Sequence, residues 1–111
     1  MKKQLTAEQL LRRLGVTGRL VGFRYTISLV EQVAEEPDRI QLITKRLYRD
    51  TARQLGVTPY ALERSVRTLI RFCWEREDRV FLNQIAGCNV ERRPSNTEFI
   101  DMLAGYIRLE H

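Results

Sequence analysis

The sequence has few of the residues that build metal centres and disulfide frameworks. Its two cysteines form no CxxC pair, and its single histidine, His111, is the last residue. A zinc site is therefore not expected, and we interpret Cys73 and Cys88 as free thiols in a reducing cytoplasm. We predict no metal and no other cofactor.

Long apolar runs, glycine-rich loops and nucleophile motifs are missing as well. No apolar run approaches the roughly 20 residues of a membrane span, and the N-terminus has no apolar signal core, so we expect neither a membrane partner nor export. Without a phosphate-binding loop, a histidine base or a nucleophile motif, an enzyme with a small-molecule substrate is poorly supported. The carboxylates are scattered, as is typical of ion pairs on helix surfaces.

The composition is typical of one globular domain. Of 111 residues, 43% are hydrophobic and 30% are charged, and we expect residues 1–111 to form a single domain. The three prolines each stand where a helix would begin, and strand-like alternation is almost absent, which predicts an all-α fold. The net charge of +5 suits a polyanionic partner.

Local signals predict where the helices begin and end. Thr6 and Gln9 form the pattern of a capping box at the start of the first helix, which Gly15 ends. Ser95 and Glu98 form a second capping box before the last helix, which runs to about residue 109. Between them we predict helices over residues 23–35, 39–47, 48–55 and 59–76, with one or two short helical turns over 78–85. No proline separates the second and third of these, so they can be continuous.

Three residues match the spacing of a helix-turn-helix motif, A-x3-G-x5-[ILV]. Ala52 lets two helices cross closely, Gly56 supplies a left-handed turn residue, and Leu62 pins the second helix to the first. The second helix has a strong start signal, because Thr58 can cap its free amides and Pro59 is tolerated at its first position. We therefore predict a helix-turn-helix over about residues 48–76.

The second helix of this motif has two contrasting faces. At 100° per residue, its core face carries Leu62, Val66, Leu69, Ile70 and Cys73. The opposite face carries Tyr60, Arg64, Arg67 and Arg71, with Glu63 at its flank. Residues 44–76 hold eight basic and three acidic residues, so the whole charge surplus lies in this third of the chain, as expected of a nucleic-acid footprint.

The chemistry of this outer face suits base recognition. In a helix-turn-helix the second helix enters the major groove with its N-terminal half against base edges. Arginine can bind the O6 and N7 of guanine together, and glutamate can accept from the amino group of cytosine. We therefore predict that bases are read by Glu63, Arg64 and Arg67, with groove or flank contacts from Tyr60, Ala61 and Arg71.

Plainer interpretations stand beside these. Arginines on a helix surface are usually only solvated, although the motif spacing and the localised charge argue against that here. Tyr60 is equally well a groove contact or a surface aromatic. Phe72 and Trp74 fit packing better than stacking on bases, and Cys73 fits an inert buried thiol.

Phosphate contacts are predicted around the same motif and before the last helix. The candidates are Arg49, Thr58, Arg92, Arg93 and Ser95. Arg92 and Arg93 are equally well simple loop charges.

Four segments carry a family resemblance: "ITKRLY", "LERSVRTLI", "RPSNTEFI" and "RLEH". Together they resemble the C-terminal DNA-binding domain of the sporulation master response regulator, stage-zero sporulation protein A, over about residues 14–111. The resemblance implies a bacterial, cytoplasmic, nucleoid-associated regulator with a compact six-helix domain of the winged-helix-like superfamily without a clear wing. It places Glu63, Arg64 and Arg67 at base-reading positions and Arg93 at a phosphate-contacting position.

The resemblance also implies double-stranded DNA as the partner, bound by tandem or paired copies. Homodimer contacts on DNA would come from the last helix, with Phe99, Met102, Leu103 and Tyr106 as candidates.

Two of the departures from the family pattern bear directly on function. Tyr60 and Ala61 stand where the family commonly has a small polar residue and then a basic one. A phosphoacceptor domain does not fit in the 111 residues, so the sequence is either an excised domain or a free-standing relative. The start "MKKQLTAEQLL" favours the second, and we then expect no phosphorylation switch within these residues. The first departure keeps a second hypothesis open, a helix-turn-helix-derived protein-interaction or dimerisation module that has lost specific DNA binding.

Overall fold

A computed structural model describes residues 5–38 and 43–109, and within these ranges it contains helices and no strand. The α-helices are α1 (Ala7–Arg13), α2 (Gly22–Glu35), α3 (Tyr48–Leu55), α4 (Pro59–Glu75), α5 (Val80–Ala86) and α6 (Asn96–Leu109). A π-helical turn, Ile43–Leu47, leads directly into α3. The predicted all-α fold is confirmed.

The ends of α1 and α6 follow from their capping boxes. The Thr6 hydroxyl accepts from the amide of Gln9 at 3.1 Å, and the Gln9 side chain accepts from the amide of Thr6 at 2.8 Å. Ser95 and Glu98 repeat this reciprocal pair at 3.1 and 2.8 Å before α6. These four hydrogen bonds confirm both predicted capping boxes. Gly15, with a φ of +95°, ends α1.

Two segments between the two capping boxes differ from the sequence-based expectation. Residues 39–42 of the predicted helix over 39–47 lie outside the described residues, and its last part is the π-helical turn. Of the two possibilities that the sequence left open, the structure has the continuous one, because that turn passes into α3 without a break. The short turns expected over 78–85 are the single helix α5.

The core forms where α2 packs between α4 and α6. Each of these three helices contributes fully buried side chains: Phe23, Leu29 and Val30 from α2, Leu62, Val66, Leu69 and Ile70 from α4, and Phe99, Ile100 and Leu103 from α6. Leu10 and Leu11 of α1 are fully buried as well. The predicted core face of α4 is therefore confirmed. The buried face fixes α4 along its length, which leaves its other side to solvent.

The helix-turn-helix geometry is present as the spacing predicts. Ala52 is fully buried where α3 meets α4, and Leu62 is buried in the core behind it. Gly56 has a φ of +72° and its amide bonds to the carbonyls of Ala52 and Arg53. The left-handed region strains other residue types, so glycine at this position sets the turn between the two helices.

The two large aromatic residues near the end of α4 have different environments. Trp74 is half-buried against the core, and the guanidinium of Arg79 lies 3.7 Å from the centre of its ring. Phe72 is 49% exposed. The prediction of a packing role is therefore confirmed for Trp74 and wrong for Phe72, which lies on the solvent side of α4.

The two thiols are expected to react at very different rates. Cys73 is buried and burial raises its pKa to about 12, whereas Cys88 is exposed. Because the thiolate is the reacting form, native protein should consume one equivalent of an aromatic disulfide reagent quickly at neutral pH and the second only after denaturation. Mass mapping of the labelled peptide checks this: rapid labelling of Cys73 would contradict the packing of α4.

Candidate nucleic-acid interface

The start of α4 is fixed by its own cap. The hydroxyl of Thr58 accepts from the amide of Ala61 at 3.0 Å, and Pro59 at the first helical position has no amide to satisfy. The helix therefore begins at a defined residue directly after the turn at Gly56. The Thr58 hydroxyl, a predicted phosphate contact, keeps its O–H donor, which is the group that a phosphate oxygen would accept from.

The outer face of α4 presents an unbroken row of exposed side chains. Its exposed members are Tyr60, Arg64, Arg67 and Arg71. They lie on the side of the helix opposite the buried residues, as the helical wheel predicts. Ala61, which was predicted at the flank of the groove, is partly buried beside them.

Glu63 and Arg67 form an ion pair on the flank of α4. The two side chains are one helical turn apart, and an Nη of Arg67 donates to a carboxylate oxygen of Glu63. The side-chain amide of Asn96 donates to the backbone carbonyl of Glu63 at 3.1 Å. This bond ties the first residue of α6 to α4, so the loop before α6 lies beside the outer face.

The predicted phosphate contacts in that loop divide into two kinds. The guanidinium of Arg92 donates to both carboxylate oxygens of Glu98, at 3.1 and 2.8 Å. The Ser95 hydroxyl accepts from the backbone amide of Glu98. The Arg92 guanidinium, with the Ser95 amide, lowers the pKa of Glu98 to about 2. Within the described ranges no hydrogen bond or ion pair holds the side chain of Arg93, which is exposed. Arg93 is therefore the arginine of this loop that is available to an anion.

Tyr48 packs beneath the flank of α4 and the start of α6. This tyrosine, at the start of α3, is buried beside Glu63, Arg67 and Asn96, and burial raises its pKa to about 12. The next residue, Arg49, is exposed on α3. The helix thus presents Arg49 to solvent while Tyr48 anchors it in the core.

Two of the four candidate dimer contacts are not available at the surface. Phe99 and Leu103 are fully buried on the face of α6 that packs in the core, so they cannot touch a second copy of the folded chain. The prediction is wrong for these two residues. Met102 and Tyr106 keep part of their surface exposed, and Tyr106 meets the ring of Phe81 edge-on with centroids 6.4 Å apart.

Sequence reasoning missed the segment that borders the outer face on its other side. The loop before α2 places Arg19 and Val21 along a groove whose opposite wall is formed by Tyr60 and Arg64. The available signal was Gly22, because a glycine has no Cβ and so permits a close approach of the backbone to a neighbour.

The described residues contain no group of three or more histidine, cysteine or acidic side chains placed to hold a metal ion. Among the described helices, none combines the length and the apolarity needed to cross a membrane.

A family model, described as "Sporulation initiation factor Spo0A C terminal", matches residues 7–107. The match covers nearly the whole chain and includes every residue of the outer face of α4 and of the loop before α6. The chain therefore belongs to the Spo0A C-terminal domain family, a family of DNA-binding transcription-regulator domains and not of enzymes.

Proposed function

We propose that this protein is a sequence-specific duplex DNA-binding transcription regulator that inserts α4 into the major groove. The observation that carries the proposal is the exposed row of arginines on the second helix of the helix-turn-helix, opposite its buried face. In this motif the second helix presents its N-terminal residues to base edges. Glu63, Arg64 and Arg67 stand in the first three turns of α4 and are the proposed base readers.

The three side chains offer complementary chemistry. Arg64 is exposed and its planar fork suits the O6 and N7 of one guanine. Arg67 is already held by Glu63, so it enters the groove in a restricted set of orientations. Because Glu63 can accept from a cytosine amino group while it orients Arg67, the pair suits adjacent base pairs.

Exposed cations around this helix are the proposed phosphate contacts. Arg49 on α3 and Arg93 before α6 lie on elements that adjoin α4, whereas Arg71, farther along the outer face, remains a proposed groove or flank contact. Such contacts release condensed counterions, so the affinity should fall steeply as the salt concentration rises.

We further propose that copies of the chain pair on DNA through α6. Met102 and Tyr106 are the candidate contacts that retain exposed surface. Gel mobility shifts of duplexes with one and two sites would reveal such pairing as complexes of increasing size. Replacement of Met102 by glutamate should weaken the binding of the second copy only.

Selection of random duplexes on the purified protein tests the proposal. An enriched motif that outcompetes scrambled duplex at moderate salt is the expected result. No enrichment, with equally weak binding of every duplex at low salt, would contradict it. That outcome would favour the alternative function, a protein-interaction or dimerisation module that retains the fold.

Arg93→Ala should weaken the binding of every duplex by a similar factor. A phosphate contact carries no sequence information, so the enriched motif should not change and the slope of log affinity against log salt should fall by about 1. Fluorescence anisotropy over a salt series measures both quantities. The matched control is Arg108→Ala, which removes the same charge from the last turn of α6, roughly 18 Å along the helix from Asn96. An unchanged slope in Arg93→Ala would exclude the contact.

A further inference from the structure

Two large apolar side chains lie exposed beside the arginine row. Val21 and Tyr60 are each 69% exposed, and both line the open groove between the loop that precedes α2 and the first turns of α4. Arg19 and Arg64 line the same groove. Exposed apolar side chains that share a groove with two cations suit a ligand that carries both an apolar group and negative charge.

Close packing of Gly22 holds this loop against α4. A Cβ on Gly22 would lie 2.4 Å from the backbone oxygen of Ser65, a distance that no side chain tolerates. The absence of a side chain therefore brings the start of α2 into direct contact with the backbone of α4. Val21, the residue before it, is positioned at the flank of the arginine row by this contact.

Tyr60 and Arg64 are four residues apart, so their side chains lie on one face of α4, displaced by about 6 Å along the axis. Successive base pairs are stacked about 3.4 Å apart. A helix that brings Arg64 to a guanine therefore brings Tyr60 to a base pair one or two steps away.

The major groove displays one apolar group, the C5-methyl group of thymine. We propose that Val21 and Tyr60 form a contact for the methyl group of a thymine one or two base pairs from the guanine read by Arg64, with Arg19 on a neighbouring phosphate. This inference rests on the proposed function and adds a second specificity element to it. This part of the DNA has both features that suit the protein groove, because the thymine methyl group is apolar and the phosphate is anionic.

Replacement of single thymines by deoxyuridine in the enriched duplex tests this contact, since it removes only the methyl group. Wild-type protein should lose about fourfold in affinity at one or two positions, the factor that corresponds to about 0.8 kcal/mol for one buried methyl-sized group. The Val21→Ala, Tyr60→Ala double variant should bind the thymine and uracil duplexes equally. Tyr60→Phe, which keeps the ring, should still discriminate between them.

Val80→Ala is the matched control, because Val80 is a similarly exposed valine, 73% accessible, on α5. It should discriminate as the wild type does. Equal wild-type affinity for all uracil duplexes, an enriched motif without thymine at these positions, or continued discrimination by the double variant would overturn the methyl contact. In each of those cases a preferred motif would still support base reading by α4, whereas the absence of any preferred duplex would overturn the proposed function itself.

Discussion

Replacement of both Arg64 and Arg67 by alanine is expected to abolish the preference of the protein for its own site. A bidentate contact between arginine and guanine discriminates by about 1–3 kcal/mol, so the two losses together should lower the affinity for the enriched duplex by at least roughly thirtyfold. Both side chains are exposed, and the ion pair that Arg67 loses is a surface pair of small value. The melting temperature should therefore change little.

The double lysine variant separates base reading from charge. Arg64→Lys with Arg67→Lys keeps both positive charges and removes both planar forks. It should bind scrambled duplex as well as the wild type does and still lose the preferred motif. Retention of the wild-type preference by either double variant would show that bases are read elsewhere on the protein.

Gly22→Ala is expected to destabilise the protein strongly. The new Cβ would lie 2.4 Å from the backbone oxygen of Ser65 and 2.7 Å from its carbonyl carbon, and neither atom belongs to a side chain that can move aside. Overpacking of this kind costs about 1–3 kcal/mol or more, which corresponds to a melting temperature lowered by roughly 10 °C. Thermal unfolding followed by circular dichroism measures the shift.

Gly105→Ala provides a control of opposite sign. Gly105 lies inside α6, and a Cβ there meets no atom within 4 Å beyond its chain neighbours and the backbone of the helix itself. Alanine is the better helix former, so this variant should gain about 0.5–1 kcal/mol. Equal effects of the two substitutions would contradict the close approach of α2 and α4, and with it the placement of Val21 beside the arginine row.

Features that depend on neighbouring residues in the sequence were predicted well. The capping box at Thr6, the turn at Gly56 and the proline start at Pro59 each satisfy backbone groups within a few residues, so their signals are local. The wheel of α4 also predicted its buried face, because a long amphipathic helix has only one way to bury its apolar side.

Features that depend on distant packing were not predicted. The apolar residues of α6 gave no sign of whether they face the core or a partner, and Phe99 and Leu103 face the core. Phe72 is apolar but falls on the solvent side of α4, which composition alone does not show. The ion pair between Arg92 and Glu98, six residues apart, also depends on how the loop before α6 folds.

Interference by guanine methylation tests most directly whether α4 reads bases in the major groove. Methylation of the enriched duplex at guanine N7 blocks the atom that an arginine fork needs, without changing the minor groove. Methylation at one or two particular guanines should prevent binding by the wild-type protein. The Arg64→Ala variant should no longer be sensitive to methylation at one of these guanines and should remain sensitive at the other. Tight binding that ignores N7 methylation, or that responds only to methylation in the minor groove, would contradict the insertion of α4 into the major groove.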